Sequence, residues 1–153
     1  ESVKKVHPYE EPAFDVYELN IPGEEYGLGK VRELEQPVSF DGYVDMVKSK
    51  LTAPTVRVAG TKPEKVHKAA VFCGGFDMDI SGLEREKPDI LVTGDIKYNN
   101  AVELAETGYC ILDAGHFNTE KLMVKHIKEL LDRQFVQLEI IGSSTMKDVF
   151  TYY

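Results

Sequence analysis

Only two cysteines, Cys73 and Cys110, occur in the 153 residues, and they do not form a C-x-x-C pair. A cysteine-built zinc site is therefore excluded. Both lie in apolar runs, AAVFC and YCIL, so both are expected as reduced thiols in the core. No apolar run is long enough to span a bilayer, and no secretory signal is visible; the expected compartment is the cytoplasm. Basic residues are outnumbered, 18 Lys and Arg against 26 Asp and Glu, for a net charge of −8. They are not clustered, which argues against direct nucleic-acid binding. The P-loop and dinucleotide glycine patterns are missing, and nothing marks a nucleophile elbow.

What is present is an alternation of strand-like and helix-like segments. Near the start, HPYEEP reads as a turn, and Phe14, Val16, Tyr17 and Leu19 suggest a strand. IPGEEYGLG is a loop or joint. KVREL is a short strand. Ser39 then stands where an N-cap belongs, before FDGYVDMVKSKL, whose apolar residues keep helical spacing. Further strands are expected at TVRVAG, VHKAAVFC, DILVTGD, YCILDAG and VQLEIIGS, with an edge strand in MKDVFTYY. Helices are expected over Ile80–Glu86, YNNAVELAE and TEKLMVKHIKELLDR, the last with an apolar stripe of Leu122, Met123, Ile127, Leu130 and Leu131. This order predicts an α/β fold, with a mixed, largely parallel sheet and flanking helices. Three strands end in small or polar residues: Cys73-Gly74-Gly75, Thr93-Gly94-Asp95 and Ala114-Gly115-His116. Right-handed crossovers would bring these ends to one rim, where open α/β sheets bind ligands.

The chemistry-bearing residues gather in those ends. His116 and Glu120 in LDAGHFNTE are four apart. If a helix starts at once, they share a face one turn apart. Imidazole with carboxylate suits zinc, manganese, iron or nickel better than calcium. The competing reading is a helix start, with His116 or Asn118–Thr119 as the cap and Glu120 favouring the positive end. Asp95 is a candidate ligand, ligand-orienting group or general base, and equally a candidate N-cap. Gly74 and Gly75 would let a ligand approach the backbone. Lys97 and Tyr98 would contact an anion at the rim, or stay solvated on their helix. His7, Glu10 and Glu11 lie close together in a proline-bounded turn, and His67 and His126 receive no role.

HPYEEPAFDVYEL, GLGKV, VFCGG, TGDIKY and DAGHFNTEK, in this order, resemble the C-terminal part of the family known as GTP cyclohydrolase 1 type 2 homologues, or NGG-interacting-factor-three-like proteins. The resemblance runs from Val6 to the end. It implies that residues 1–26 are the end of an inserted PII-like (CutA-like) α+β domain, with its terminal strand, and a joint. Residues 27–153 would then be the second α/β half of the metal-binding core. The chain is accordingly expected to be a fragment, with the first core half absent. The family's His-x3-Glu motif falls on His116 and Glu120. The resemblance implies two divalent cations per complete site, zinc first and iron, manganese or nickel as alternatives, with the remaining ligands from the first half. It also implies a homo-oligomer, a hexamer in the intact protein, and a small nucleotide-like ligand. One departure stands out: relatives often read TGDIKYHDA, whereas Asn99 here occupies the place of that histidine, and an amide is neither an imidazole ligand nor a proton shuttle.

Two functions follow as expectations. One is a dinuclear metal-dependent hydrolase of cyclohydrolase type, in which His116 and Glu120 hold metal, Asp95 orients a ligand or water, and Gly74, Gly75 and Lys97 face substrate. The other is a non-catalytic metal-binding, regulatory or protein-interaction protein. A fragment with two protein ligands is expected to be inactive alone.

Overall fold

Ser39 sets the start of the first long helix. Its side chain accepts a hydrogen bond from the Gly42 N–H at 3.3 Å, and α2 runs over Phe40–Leu51 to a left-handed cap at Thr52. Ser39→Ala is expected to lower stability by about 1 kcal/mol, as cap removal usually does; urea unfolding checks it. The computed structural model describes residues 2–18, 20, 21, 23, 27–76 and 80–152. Before α2 come α1 (Ser2–Val6) and β1 (Lys30–Ser39); after it come β2 (Arg57–Ala59), β3 (Lys65–Gly75), α3 (Ser81–Glu86), β4 (Ile90–Gly94), α4 (Tyr98–Glu106), β5 (Ile111–Asp113), α5 (His116–Glu120) and α6 (Leu122–Gln134). No helix among the described residues is long and apolar enough to cross a membrane.

The five strands form one sheet in the order β1-β3-β4-β5-β2. Its centre, β3-β4-β5, is parallel, and both edge strands are antiparallel to their neighbours. The mixed α/β class is therefore as expected. Every residue of β4 is buried, because helices cover both faces of a parallel centre. On one face Phe40, Tyr43 and Val47 of α2 pack on Val66, Ile90, Val92 and Leu112. On the other, Leu83 and Leu104 with Phe76 and Ile96 cover Ala70, Leu91 and Ile111. Pairing of β1 with β3 is irregular between Glu33 and Val38, a stretch that contains Pro37, which has no N–H to donate.

Four expectations are corrected. The strand over Phe14–Leu19 is not formed: residues 12–18 are irregular, and Leu19 lies outside the described residues. VQLEIIGS and residues 146–152 of MKDVFTYY form no strand either, Tyr153 lying outside the described residues; alternation suits a pleated backbone, but a strand also needs a neighbour to complete its hydrogen bonds. Cys73 is exposed, whereas Cys110 is buried as expected; period-two alternation along β3 turns Cys73 outward. The apolar stripe of α6 forms a helix face as expected; Leu122, Met123, Ile127 and Leu130 stay about half exposed and no residue of α6 is buried. Periodicity fixes which residues share a face, not whether a partner covers it.

Candidate metal centre

The three parallel strands end side by side. Gly75 pairs with Gly94 across β3 and β4, and the Ala114 N–H donates to the Thr93 carbonyl at 2.8 Å. The glycines are there for clearance. A Cβ at Gly94 would lie 2.8 Å from the Gly115 carbonyl and the His116 Cα. A Cβ at Gly74 would run into Glu120 Oε1 and come within 3.3 Å of His116 Nε2, and Gly74 also holds a positive φ of 69°. Its peptide is clamped at both ends: the N–H donates to Thr119 Oγ1, and the carbonyl accepts from Thr93 Oγ1, each at 3.0 Å. Asp95 takes a φ of 56°, a left-handed conformation that aspartate tolerates better than most residues.

Helix α5 begins at His116, so the four-residue spacing becomes a shared face. His116 Nε2 lies 3.1 Å from Glu120 Oε1, and His116 Nδ1 lies 3.7 Å from Asp95 Oδ2. All three side chains are at least half exposed. Two donors bound to one cation at about 2.1 Å, with a bond angle between octahedral and tetrahedral, sit roughly 3.0–3.4 Å apart. The imidazole and carboxylate thus fit one divalent ion. No group of three or more His, Cys, Asp or Glu among the described residues has a metal-holding arrangement. The capping alternatives are not realised. His116 makes no capping bond, and the N-cap of α5 is Gly115. The N-cap of α4 is Lys97, not Asp95.

The most connected side chain of the rim was missed by sequence reasoning. Asp113, at the end of β5 and 3% exposed, accepts from three backbone N–H groups: Asp95 at 3.0 Å, Gly115 at 2.9 Å and Ile96 at 3.1 Å. Its Oδ2 also pairs with Arg57 Nη2, which donates to the Ile96 carbonyl at 3.3 Å as well. The available signal was an acid directly after a buried apolar strand, which has to find donors. Thr93 was read only as part of a strand exit and Asn118–Thr119 only as a cap, so the bonds of Thr93 and Thr119 to Gly74 were missed. Asn118 bridges the Ala114 carbonyl (2.8 Å) and Lys121 Nζ (2.9 Å).

A cleft of about 760 Å³ opens beside His116 and Glu120. Arg57, Asp95 and Asp113 line it from the sheet side, and the segment Met146–Tyr152 forms its other wall. The Tyr152 hydroxyl donates to Asp148 Oδ2 at 3.2 Å. Partial burial, then that bond and the charges of Asp148 and Asp113, push the phenol above its ordinary pKa, so it stays protonated at neutral pH. Of the residues expected at the site, Asp95, His116 and Glu120 come together with Gly74 beneath them. Gly75 lies at the same rim, where its Cβ would be 3.9 Å from the Asp95 carbonyl. Lys97 and Tyr98 are exposed at the start of α4, Asn99 lies in its first turn, and none of the three lines the cleft. His7 is used locally, its Nδ1 accepting from the Tyr9 N–H at 3.2 Å.

The chain is similar to known proteins over nearly its whole length. Residues 2–149 match the family described as Duf34/NIF3 (NGG1p interacting factor 3). A curated relative from Halalkalibacterium halodurans, named GTP cyclohydrolase 1 type 2 homolog, is 35% identical over 97% of this chain and 41% of its own length. A crystal structure of a Staphylococcus aureus protein, SA1388, superposes with a TM-score of 0.77 at 30% identity, over 99% of this chain and 44% of that one. A Bacillus cereus protein described as related to NIF3 gives 0.73 at 32% identity, over 99% and 43%. This chain therefore spans about two fifths of the length of the curated relatives it matches.

Proposed function

Because the chain belongs to the Duf34/NIF3 family, we propose that it is a divalent-metal-binding unit serving hydrolytic chemistry, with His116 and Glu120 as its metal ligands. The observation that carries this reading is the 3.1 Å between His116 Nε2 and Glu120 Oε1, over a glycine whose missing Cβ leaves room for both. Zinc is the first choice of ion for this donor pair, with iron, manganese or nickel next. A divalent ion held there supplies Lewis acidity to a hydrolytic reaction. The residues of the chain do the rest. Asp95 stands 3.7 Å from Nδ1 of His116, where it would orient the ring once Nε2 holds the ion. Gly74 and Gly75 leave backbone room at the rim, and the cleft beside it, lined among others by Arg57 and Lys147, admits the ligand. The name carried by the relatives suggests a nucleotide-like ligand, and about 760 Å³ is enough for one.

Two donors leave most of a coordination sphere open. In this proposal the complete site holds two ions and draws its other ligands from protein beyond these 153 residues. The half-exposed face of α6 supports association with further protein, a hexamer in the intact assembly. The scarcity of donors also favours a second reading, a non-catalytic metal-binding or regulatory role. Calorimetric titration of metal-free protein with zinc and manganese, followed by elemental analysis after dialysis, tests metal binding itself. One ion per chain is expected, with at least about tenfold tighter retention by a longer chain carrying the further ligands, the scale on which even outer partners of a metal site are felt. No uptake by either chain sinks the proposal, and stoichiometric uptake by the longer chain without turnover of any nucleotide selects the second reading.

A further inference from the structure

Asp113 touches neither proposed ligand, yet it joins the two loops that carry them. Its Oδ1 accepts from Asp95 N–H on the exit of β4 and from Gly115 N–H on the exit of β5. Its Oδ2 accepts from Ile96 N–H and pairs with Arg57, which reaches in from the sheet's far edge. One carboxylate thus fixes the Gly94–Asp95 peptide relative to the Ala114–Gly115 peptide, one residue before His116. We propose that Asp113 is the positioning residue of the metal centre: by tying these two strand exits together it sets where the His116 imidazole stands between Asp95 and Glu120. The proposal rests on the reading of His116 and Glu120 as ligands.

The chemistry explains why an acid is required there. An ionised carboxylate offers about four acceptor positions, and the site uses four donors: three backbone N–H groups and one guanidinium. An amide of the same shape offers one acceptor oxygen and turns an NH₂ group toward a donor. Asp113→Asn therefore turns two of the four donors away, either the Asp95 and Gly115 N–H groups that share Oδ1 or the Ile96 N–H and Arg57 that share Oδ2, while changing little in volume. Arg57 satisfies the remaining charge of an almost fully buried group, where an unpaired carboxylate would be costly.

The test compares wild type and Asp113→Asn below the unfolding transition, with circular dichroism showing that both are folded. Zinc affinity is read by competition with a chelator. The His116 ring nitrogens are read in metal-free protein by long-range ¹H–¹⁵N NMR, which reports the tautomer. A merely structural aspartate would lower the unfolding temperature and leave both readouts alone. The expected result is a 10- to 100-fold weaker zinc affinity, as for outer partners in other metal sites, with a changed tautomer balance at His116. Unchanged affinity and an unchanged tautomer would overturn the proposal. If Asp113→Asn does not fold, Arg57→Lys serves instead. It keeps a cation but cannot bridge Asp113 and the Ile96 carbonyl as a fork, so a smaller loss of affinity with a changed tautomer balance is expected, and wild-type values would overturn it. A wild-type protein that takes up no zinc defeats the metal reading itself, and is distinguishable from wild-type binding that Asp113→Asn leaves intact.

Discussion

His116→Ala is expected to weaken zinc binding at least about a hundredfold, roughly 2.7 kcal/mol, while leaving the fold in place. In the proposed site the imidazole is one of two protein donors, and the other, Glu120, is half exposed, with no group of three His, Cys, Asp or Glu arranged to hold an ion among the described residues. Losing an outer partner already costs 10- to 100-fold; losing a bonded donor costs more. Stability hardly depends on this ring, which is half solvated, and exposed ion pairs of this kind are worth at most about 1 kcal/mol. Calorimetry and thermal unfolding of the same samples separate the two effects. Binding within threefold of wild type would mean that the ligands lie elsewhere. Glu120→Gln provides a second reading of the same site, since it keeps the shape of the carboxylate and removes its charge.

Gly94→Ala is expected to be the most damaging small substitution at the rim. The added methyl would lie 2.8 Å from the backbone of Gly115 and from the His116 Cα, and main chain yields far less readily than the tip of a side chain. The exits of β4 and β5 would have to part. Overpacking of this kind costs about 1–3 kcal/mol, or a Tm lower by roughly 3–10 °C for a domain of this size. Because the same displacement carries His116 away from Asp95, zinc affinity should fall together with Tm. A calorimetric scan and a zinc titration check the two parts. Gly82→Ala is the control, since a Cβ there meets nothing within 4 Å. Equal behaviour of the two variants would show that the rim tolerates opening.

What was legible in the sequence was mostly local. Ser39 was recognisable as a cap because a cap acts on a residue three positions away, and Gly42 is where its bond goes. The His116–Glu120 spacing was legible because one helical turn fixes it. The three glycine-marked strand ends were legible as a rim because parallel topology follows from the alternation of elements. Asp113 was not, since three of its four donors lie outside its own loop, on Asp95, Ile96 and Arg57. Arg57 meets it only when β2 adds to the edge of β5, and Asp95 and Ile96 when β4 pairs with β5. The α6 stripe and the VQLEIIGS segment mark the same limit from the other side. Each pattern shows what a segment can present, and neither shows whether anything stands opposite.

The placement of both proposed ligands within the five residues of α5 has a consequence for how such a centre tolerates change. Their mutual bite is a property of one coil of backbone and survives length changes in any distant loop. A single residue inserted between positions 116 and 120 would swing one donor about 100° around the axis and end the pairing outright. Divergent copies of this segment can therefore lengthen, shorten or swap nearly everything around the pair, provided the count between imidazole and acid stays at three.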